Sequence, residues 1–482
     1  MTFSEIISYI DGEIAWGPVL LVLLFGVGLY FSFRTGFLQF RKFGFTMKNT
    51  IGKVFSGKKA EKGELTPWQA VTTALAATVG TGNIAGVTGA IAIGGPGAVF
   101  WMWISALLGM VTKYAEVVLA VKYRERNAAG ERVGGPMYYI KNGLGQKWKW
   151  MAVLFALLGG LASFGIGNAT QVNSIASSIT NAIDAFGGNT GGATITLFGS
   201  TFTVAALIIG IIVALIVALV ILGGLKAVGK VTEKLVPFMS IVYILAALVF
   251  IGFNFPQIGT VFGMIFKGAF DPQAAIGGAV GITIMTAVQK GVSRGCFSNE
   301  AGLGSAPIAH ASSSETDPVK QGVYGIFEVF MDTIVICTLT SLVVLCGQTS
   351  GIISINWGSG ADGTLVAASL SGVFGSKVSV LIIAVCLSLF ALSTIISWSL
   401  YGARCFEFVT GEKGAKVYRV LFVFVIIFGA VMSLDDVWNI ASALNGFMAI
   451  PNLVALLLLS PVVIKLTKEF FDKKKEKVQD GD

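Results

Sequence analysis

Ala76-Ala77-Thr78-Val79-Gly80-Thr81-Gly82-Asn83-Ile84-Ala85-Gly86 sits in the middle of an apolar run, 67–94, that is long enough to cross a bilayer. Close packing in lipid has no need of Thr, Gly, Thr, Gly and Asn in succession. Gly80 and Gly82 are poor helix formers and open φ/ψ values that other residues avoid. Unwinding here frees N–H groups at the start of a second half-helix, where the dipole favours a carboxylate. It also frees carbonyls at the end of the first half, which suit a cation or an ammonium group. The plainer alternative is a small-residue packing groove with hydroxyls bonded back to carbonyls.

Apolar runs of this length recur along the chain. Of its 482 residues 54% are hydrophobic and 12% charged, against roughly 25% charged in a soluble domain. Eleven segments stand out, near 15–33, 67–94, 98–121, 150–178, 202–222, 235–253, 272–292, 321–345, 378–401, 417–431 and 437–466. They predict an all-α membrane protein of about 11 transmembrane helices, with no linker dividing residues 1–482. Residues 258–270 are apolar but too short to cross, and read as an interfacial helix. Residues 134–140, Gly-Gly-Pro-Met-Tyr-Tyr-Ile, suggest another, with tyrosines at headgroup level. The polar stretch 290–320 reads as a cytosolic segment with a short helix tucked against the bundle.

Charge tests this segmentation. Thirty-two of the 34 lysines and arginines fall on one side of the partition, leaving Lys267 and Lys377 on the other. That bias places the N-terminus outside, the C-terminus in the cytoplasm and the chain in the cell membrane as a multi-pass protein. The net charge of +8 sits in cytosolic loops and a basic tail, 467–482, where lipid headgroups rather than nucleic acid are the partner. The five cysteines form no CxxC pair and read as packing residues, and the single histidine, His310, has no His or Cys partner for a metal site. The first apolar run follows the acidic residues Glu5, Asp11 and Glu13, unlike a cleaved leader.

Other spans carry polar groups at depth. Gly277, Gly278 and Gly281 interrupt span seven, five spans after the break in span two and so running the opposite way. Two interrupted helices in corresponding positions point to an inverted-repeat transporter site, although close packing would use the same glycines. Ser393 and Thr394 in span nine offer neutral oxygens suited to sodium, with Trp398 on the face of Thr394, or else they bond their own helix. Asn168 and Gln171 in span four are costly in lipid and should face inward. Glu328 and Asp332 in span eight are candidates for a proton route or for pairing near Arg294.

Three stretches resemble the alanine/glycine:cation symporter family, the sodium:alanine symporters: Gly80-Thr81-Gly82-Asn83-Ile84-Ala85-Gly86, Gly135-Pro136-Met137-Tyr138-Tyr139-Ile140, and Ser298-Asn299-Glu300-Ala301-Gly302-Leu303-Gly304-Ser305-Ala306-Pro307. The resemblance covers nearly the whole chain. It implies a leucine-transporter-type fold of five-plus-five inverted repeats, 67–253 and 272–466, preceded by an extra N-terminal helix at 15–33. It implies no organic cofactor, sodium as coupling ion, and a small amino acid as substrate. The N–H groups of Gly80, Thr81 and Gly82 would take the substrate carboxylate, with Thr78 and Asn83 beside them. Gln171, Gly277, Gly278 and Gly281 would line the substrate, and Thr394 and Trp398 would bound it. The carbonyls of Ala76 and Val79, with the hydroxyls of Ser393 and Thr394, would hold sodium.

The expected function is therefore sodium-coupled symport of alanine and glycine into the cell by alternating access. A proton-coupled amino-acid transporter is the rival within the class. A membrane-embedded enzyme would need a metal set, a Ser–His pair or a soluble catalytic domain, and none is legible. A channel would need a ring of filter residues. The charge bias predicts that a reporter fused to the C-terminus is active only in the cytoplasm; activity on the outer face would reverse the orientation.

Overall fold

The computed structural model describes residues 2–53, 60, 61, 63–197, 200–275, 282–361, 363–432 and 434–479. Helices dominate. The strands among these residues form two antiparallel hairpins, Glu125–Arg126 with Arg132–Val133 and Thr194–Leu197 with Ser200–Thr203. Among the described residues eight helices are long and apolar enough to cross a bilayer, nine when the bent pair Pro67–Thr78 and Thr81–Gly94 counts as one span. The chain is an all-α membrane protein. Ser376–Gly429 has 54 residues, about 80 Å at 1.5 Å per residue, more than twice a hydrocarbon core. It turns at Gly411 (φ +75), a left-handed conformation that glycine adopts without strain, so it supplies both span nine and span ten.

Lipid-facing and interior helices differ in their side chains. Val204–Leu222 has no charged residue, and its Leu215, Leu219 and Leu222 are 62%, 74% and 84% exposed. Acyl tails are as apolar as leucine, so this exposure is neutral in a bilayer. Gly97–Lys122 is buried along most of its length and packs on Ile284–Asn299 and Pro318–Val329; with the bent pair these make one group of helices. Ser376–Gly429 packs on Lys149–Phe164, Thr170–Ala185 and Val204–Leu222 to make a second group. On one face the hairpin Glu125–Val133 ties the groups together. Glu64 pairs with Arg126 (2.6 Å) and Arg132 (2.7 Å), and Arg404 pairs with Glu131 (2.5 Å) and Glu407 (2.6 Å).

Several expectations change. Span seven is not the segment 272–292. Pro272–Ala275 forms one turn, residues 276–281 lie outside the described ones, and a helix then runs Ile284–Asn299. Residues 290–299 thus belong to that helix, and the short helix expected within 290–320 is present as the buried Pro307–Ala311. Ser293, Ser298 and Asn299 are polar because they face other helices, not water. Lys290 and Arg294 line a small pocket with Asp11 and Gly12, on the face of the N-terminal segment, so they leave the basic side of the charge count. Tyr138 and Tyr139 are buried rather than at headgroup level, because Pro136–Tyr139 tucks beneath the bundle. Span eleven ends at Leu458. A separate helix, Ser460–Gln479, docks on Phe43–Asn49, with Phe470 and Phe471 against Phe45. The expected helix at 258–270 is present as Ile258–Phe270, and all five cysteines are buried and free.

Glu328 does not meet Arg294. It pairs with Lys113 at 3.3 Å and with His310 at 3.1 Å, and Gln321 holds the other ring nitrogen of His310 at 2.9 Å; all four residues are fully buried. Removing one partner of such a pair strands a charge at a cost of about 3–5 kcal/mol, whereas removing both is far milder. Lys113→Met should lower the melting temperature of the purified protein markedly, and Lys113→Met with Glu328→Gln should recover much of the loss. An additive double variant would show that the pair is not coupled.

Candidate functional site

Thr66 and Gln69 form a reciprocal cap at the start of span two, with Pro67 at the first helical position. The first half ends at Thr78. Val79 (φ −79, ψ 86) and Gly80 (φ −135, ψ −154) leave helical geometry, Thr81–Asn83 makes one 3-10 turn, and the second half departs at 57°. The break expected from Gly80 and Gly82 is present.

Side chains from neighbouring helices hold it open. Asn83 Oδ1 accepts from the Gly80 N–H at 2.8 Å, while its Nδ2 donates to Asp332 Oδ1 at 2.6 Å. Asp332 also accepts from Ser298 Oγ (2.9 Å) and Thr333 Oγ1 (2.8 Å). On the opposite flank Gln171 Oε1 faces the Thr81 N–H at 3.4 Å, and its Nε2 donates to the Ile166 carbonyl at 2.9 Å. Asn168 also faces inward as expected, buried, and donates to the carbonyl of Phe422 in span ten.

Span nine closes the site from below the break. Thr394 Oγ1 donates to the Ala76 carbonyl at 3.0 Å and Ser393 Oγ to the same carbonyl at 3.2 Å. Both hydroxyls also reach Phe390 O of their own helix, at 3.1 and 2.8 Å. Bridging and back-bonding, the two sequence-level readings, therefore coexist. Neither hydroxyl reaches the Val79 carbonyl, and the Thr78 hydroxyl turns back to Leu75 O at 3.3 Å. Thr81 Oγ1 is buried without a hydrogen-bond partner among the described residues. Trp398 is fully buried over Gly167, and its Nε1 donates to Glu300 Oε1 at 2.8 Å.

Glu300 belongs to a second break that sequence reasoning did not single out. The expected interruption at Gly277, Gly278 and Gly281 lies outside the described residues. Glu300 (φ +55), Gly302 (φ +90) and Gly304 (φ +81) end the helix Ile284–Asn299, and Pro307 opens a short one, Pro307–Ala311. Glycines followed by a proline were the available signal. Glu116 Oε1 accepts from the Gly304 N–H (3.1 Å) and Asn452 Nδ2 (2.6 Å), and Asn452 also donates to the Gly302 carbonyl (2.9 Å) and accepts from Tyr139. The two long motifs, 135–140 and 298–307, thus meet at this break. Phe297, Ser298 and Glu300 are site residues that the sequence reading did not single out.

A span broken at mid-helix, with its freed carbonyl met by hydroxyls of another span inside a helical membrane protein, points to a secondary transporter. The chain belongs to the sodium:alanine symporter family, whose family model matches residues 1–481. It is 43% identical to the sodium/alanine symporter AgcS of Methanococcus maripaludis over the full length of both chains. It is 44% identical to an uncharacterized transporter of Haemophilus influenzae, across all of this chain and 99% of that one. Its fold is similar to that of MhsT, solved in complex with L-phenylalanine, with a TM-score of 0.57 at 15% identity over 85% of this chain and 99% of MhsT. The chain is accordingly a multi-pass, sodium-coupled amino-acid symporter, as expected.

A Cβ added at Gly80 would lie 2.5 Å from Thr394 Oγ1, whereas one added at Gly86 would meet nothing within 4 Å. Gly80→Ala should therefore reduce sodium-dependent alanine binding about tenfold or more, by an overpacking cost of roughly 1–3 kcal/mol. Gly86→Ala serves as the matched control in the same equilibrium binding measurement.

Proposed function

We infer that this symporter carries alanine and glycine, and that both sodium and substrate bind at the break in span two. The observation that carries the reading is the meeting of Ala76 O, Ser393 Oγ and Thr394 Oγ1 beside the unwound backbone. Neutral oxygens of this kind bind a hard monovalent cation reversibly. The substrate carboxylate would take the N–H groups of Thr81 and Gly82 at the start of the second half-helix, with Thr81 Oγ1 as an unsatisfied partner in the same turn. The 3.4 Å contact from the Thr81 N–H to Gln171 is long enough to be replaced by a carboxylate oxygen. Gly80's own N–H is committed to Asn83, so Gly80 acts through its missing side chain.

Coupling follows from the shared backbone. Sodium at Ala76 orders the end of the first half-helix, and the carboxylate orders the start of the second, so each stabilises the conformation that the other needs. Glu328 is engaged by Lys113 and His310, which leaves it a structural role and weakens a proton route through it. Trp398, packed over Gly167, would limit substrate size.

In the same reading the repeats are 67–253 and 272–466, with the break at 300–306 as the counterpart of the break at 79–84. The span near 15–33 is an added helix, and the basic residues of the C-terminal helix Ser460–Gln479 meet anionic lipid. The basic loops that remain support a C-terminus in the cytoplasm of a cell-membrane protein.

Replacing Ser393 and Thr394 together by Ala should raise the sodium concentration for half-maximal alanine uptake in proteoliposomes about tenfold, the effect of losing one or two net hydrogen-bond-sized interactions. Unchanged sodium dependence with persisting transport would place the ion elsewhere. Trp398→Ala should admit larger side chains. Equal competition by leucine and alanine for uptake by the unmodified protein would reject a small pocket.

A further inference from the structure

A pocket of about 350 Å³ lies where the hairpin Glu125–Val133 faces the turn at Gly411 between spans nine and ten. That volume falls in the range of small-ligand pockets, about 300–1,000 Å³. Higher up, the helix Lys149–Phe164 packs closely on this part of the chain, with Gly160 against Phe406 and Phe164 against Tyr418. Lys149 shares the face of Gly160 and Phe164, one end of the helix away, and there it lines the pocket.

The lining is mixed in charge. Lys141 is held by Glu125 at 2.8 Å, and Glu407 by Arg404 at 2.6 Å and Asn127 at 2.7 Å. Lys149 has no hydrogen bond or ion pair among the described residues, and the hydroxyl of buried Tyr138 has no hydrogen-bond partner among them. Glu412 meets Lys416 at 3.1 Å, an exposed pair that costs little to open. The pocket thus offers a cation and a hydroxyl for an anion, and carboxylates for a cation.

Its place relative to the bilayer is marked by tryptophan. Trp148 and Trp150 flank Lys149 and stack at 6.4 Å, and Trp150 is exposed. Indoles at the end of a spanning helix sit at headgroup level. From Trp150 an exposed stripe of Leu154, Leu157 and Leu161 continues at helical spacing, a surface for acyl chains. The pocket reaches inward from that level to the ring of Tyr138.

We propose that this pocket binds the headgroup of a phospholipid that carries both a phosphodiester and a primary ammonium, a phosphoethanolamine group. The phosphate takes Lys149 and the Tyr138 hydroxyl, and the ammonium takes Glu412. A headgroup ending in glycerol brings an anion and no cation to a wall with three carboxylates. A trimethylated ammonium has no N–H to donate to them. The bound headgroup touches the hairpin and the turn at once, so lipid joins the ion pairs that tie the two groups of helices.

The test follows thermal unfolding of the purified full-length protein in detergent against rising dioctanoyl phosphatidylethanolamine. Phosphatidylcholine and phosphatidylglycerol of the same chain length form the other arms, and neither sodium nor amino acid is added. A ligand of the folded state raises the melting temperature as its concentration rises. Phosphatidylethanolamine should act at about tenfold lower concentration than either other lipid, the value of one charge-assisted contact. Lys149→Gln should raise the concentration needed about tenfold, and Tyr138→Phe by less. Glu412→Gln should erase the advantage over phosphatidylglycerol. Lys149 and Glu412 are exposed, so neither variant threatens the fold. Equal action of the three lipids, or an unchanged response in both Lys149→Gln and Glu412→Gln, overturns the site. Free phosphoethanolamine as effective as the lipid would assign the pocket to a soluble phosphate ester and overturn the lipid.

Discussion

The hydrogen bond from Asn83 to Asp332 fixes the point at which span two stops being a helix. Inside a bilayer an unwound segment has no water to satisfy it, and each stranded backbone group costs several kcal/mol. Asn83 deals with this from both ends of its amide, accepting from Gly80 within the break and donating to span eight. Asp332 then reaches Ser298, one residue before the second break's first supporting amide, Asn299. The two interruptions are thereby joined through one buried carboxylate. Gln171, Ser393 and Thr394 approach from the other group of helices and supply the remaining contacts. The break in span two lies where the two groups of helices touch.

The first break was legible because Gly80, Thr81, Gly82 and Asn83 set poor helix formers and polar groups in succession within an apolar span. The hydroxyls of span nine were legible for the same reason. The second break was hidden by its neighbours. Ile284–Asn299 carries Lys290, Ser293, Arg294, Ser298 and Asn299, and polarity read along the chain cannot distinguish a helix facing other helices from a segment facing water. That ambiguity moved Lys290 and Arg294 to the wrong face and shifted attention to the glycines before them. The ion pair of Lys113 with Glu328 joins residues far apart in the chain, and the turn in Ser376–Gly429 rests on one positive φ at Gly411, so neither leaves a local pattern.

The N-terminal segment lies on one face, and the ion pairs of the hairpin Glu125–Val133 lie on the other. Glu64 belongs to the start of span two and Arg404 to the end of span nine, so the hairpin spans the boundary between the two groups. Arg124 adds donations to the carbonyls of Ala311, Ser313 and Glu315, just past the second broken helix. A transporter that exposes its site alternately must release these contacts once in each cycle. They are only partly exposed, so screening by salt reaches them weakly and their release depends on motion of the helices themselves.

Trp398 has two neighbours that belong to different tasks. One face lies over Gly167, and the indole N–H donates to Glu300 in the left-handed turn that ends the second broken helix. A smaller residue at this position would take away one of the two side-chain donors of a buried carboxylate, leaving Ser305. If Trp398 bounds the substrate as proposed, breadth of diet and the integrity of that turn are tied to one side chain. A generalist descendant of this protein would have to replace that donor to Glu300 as well as open the pocket.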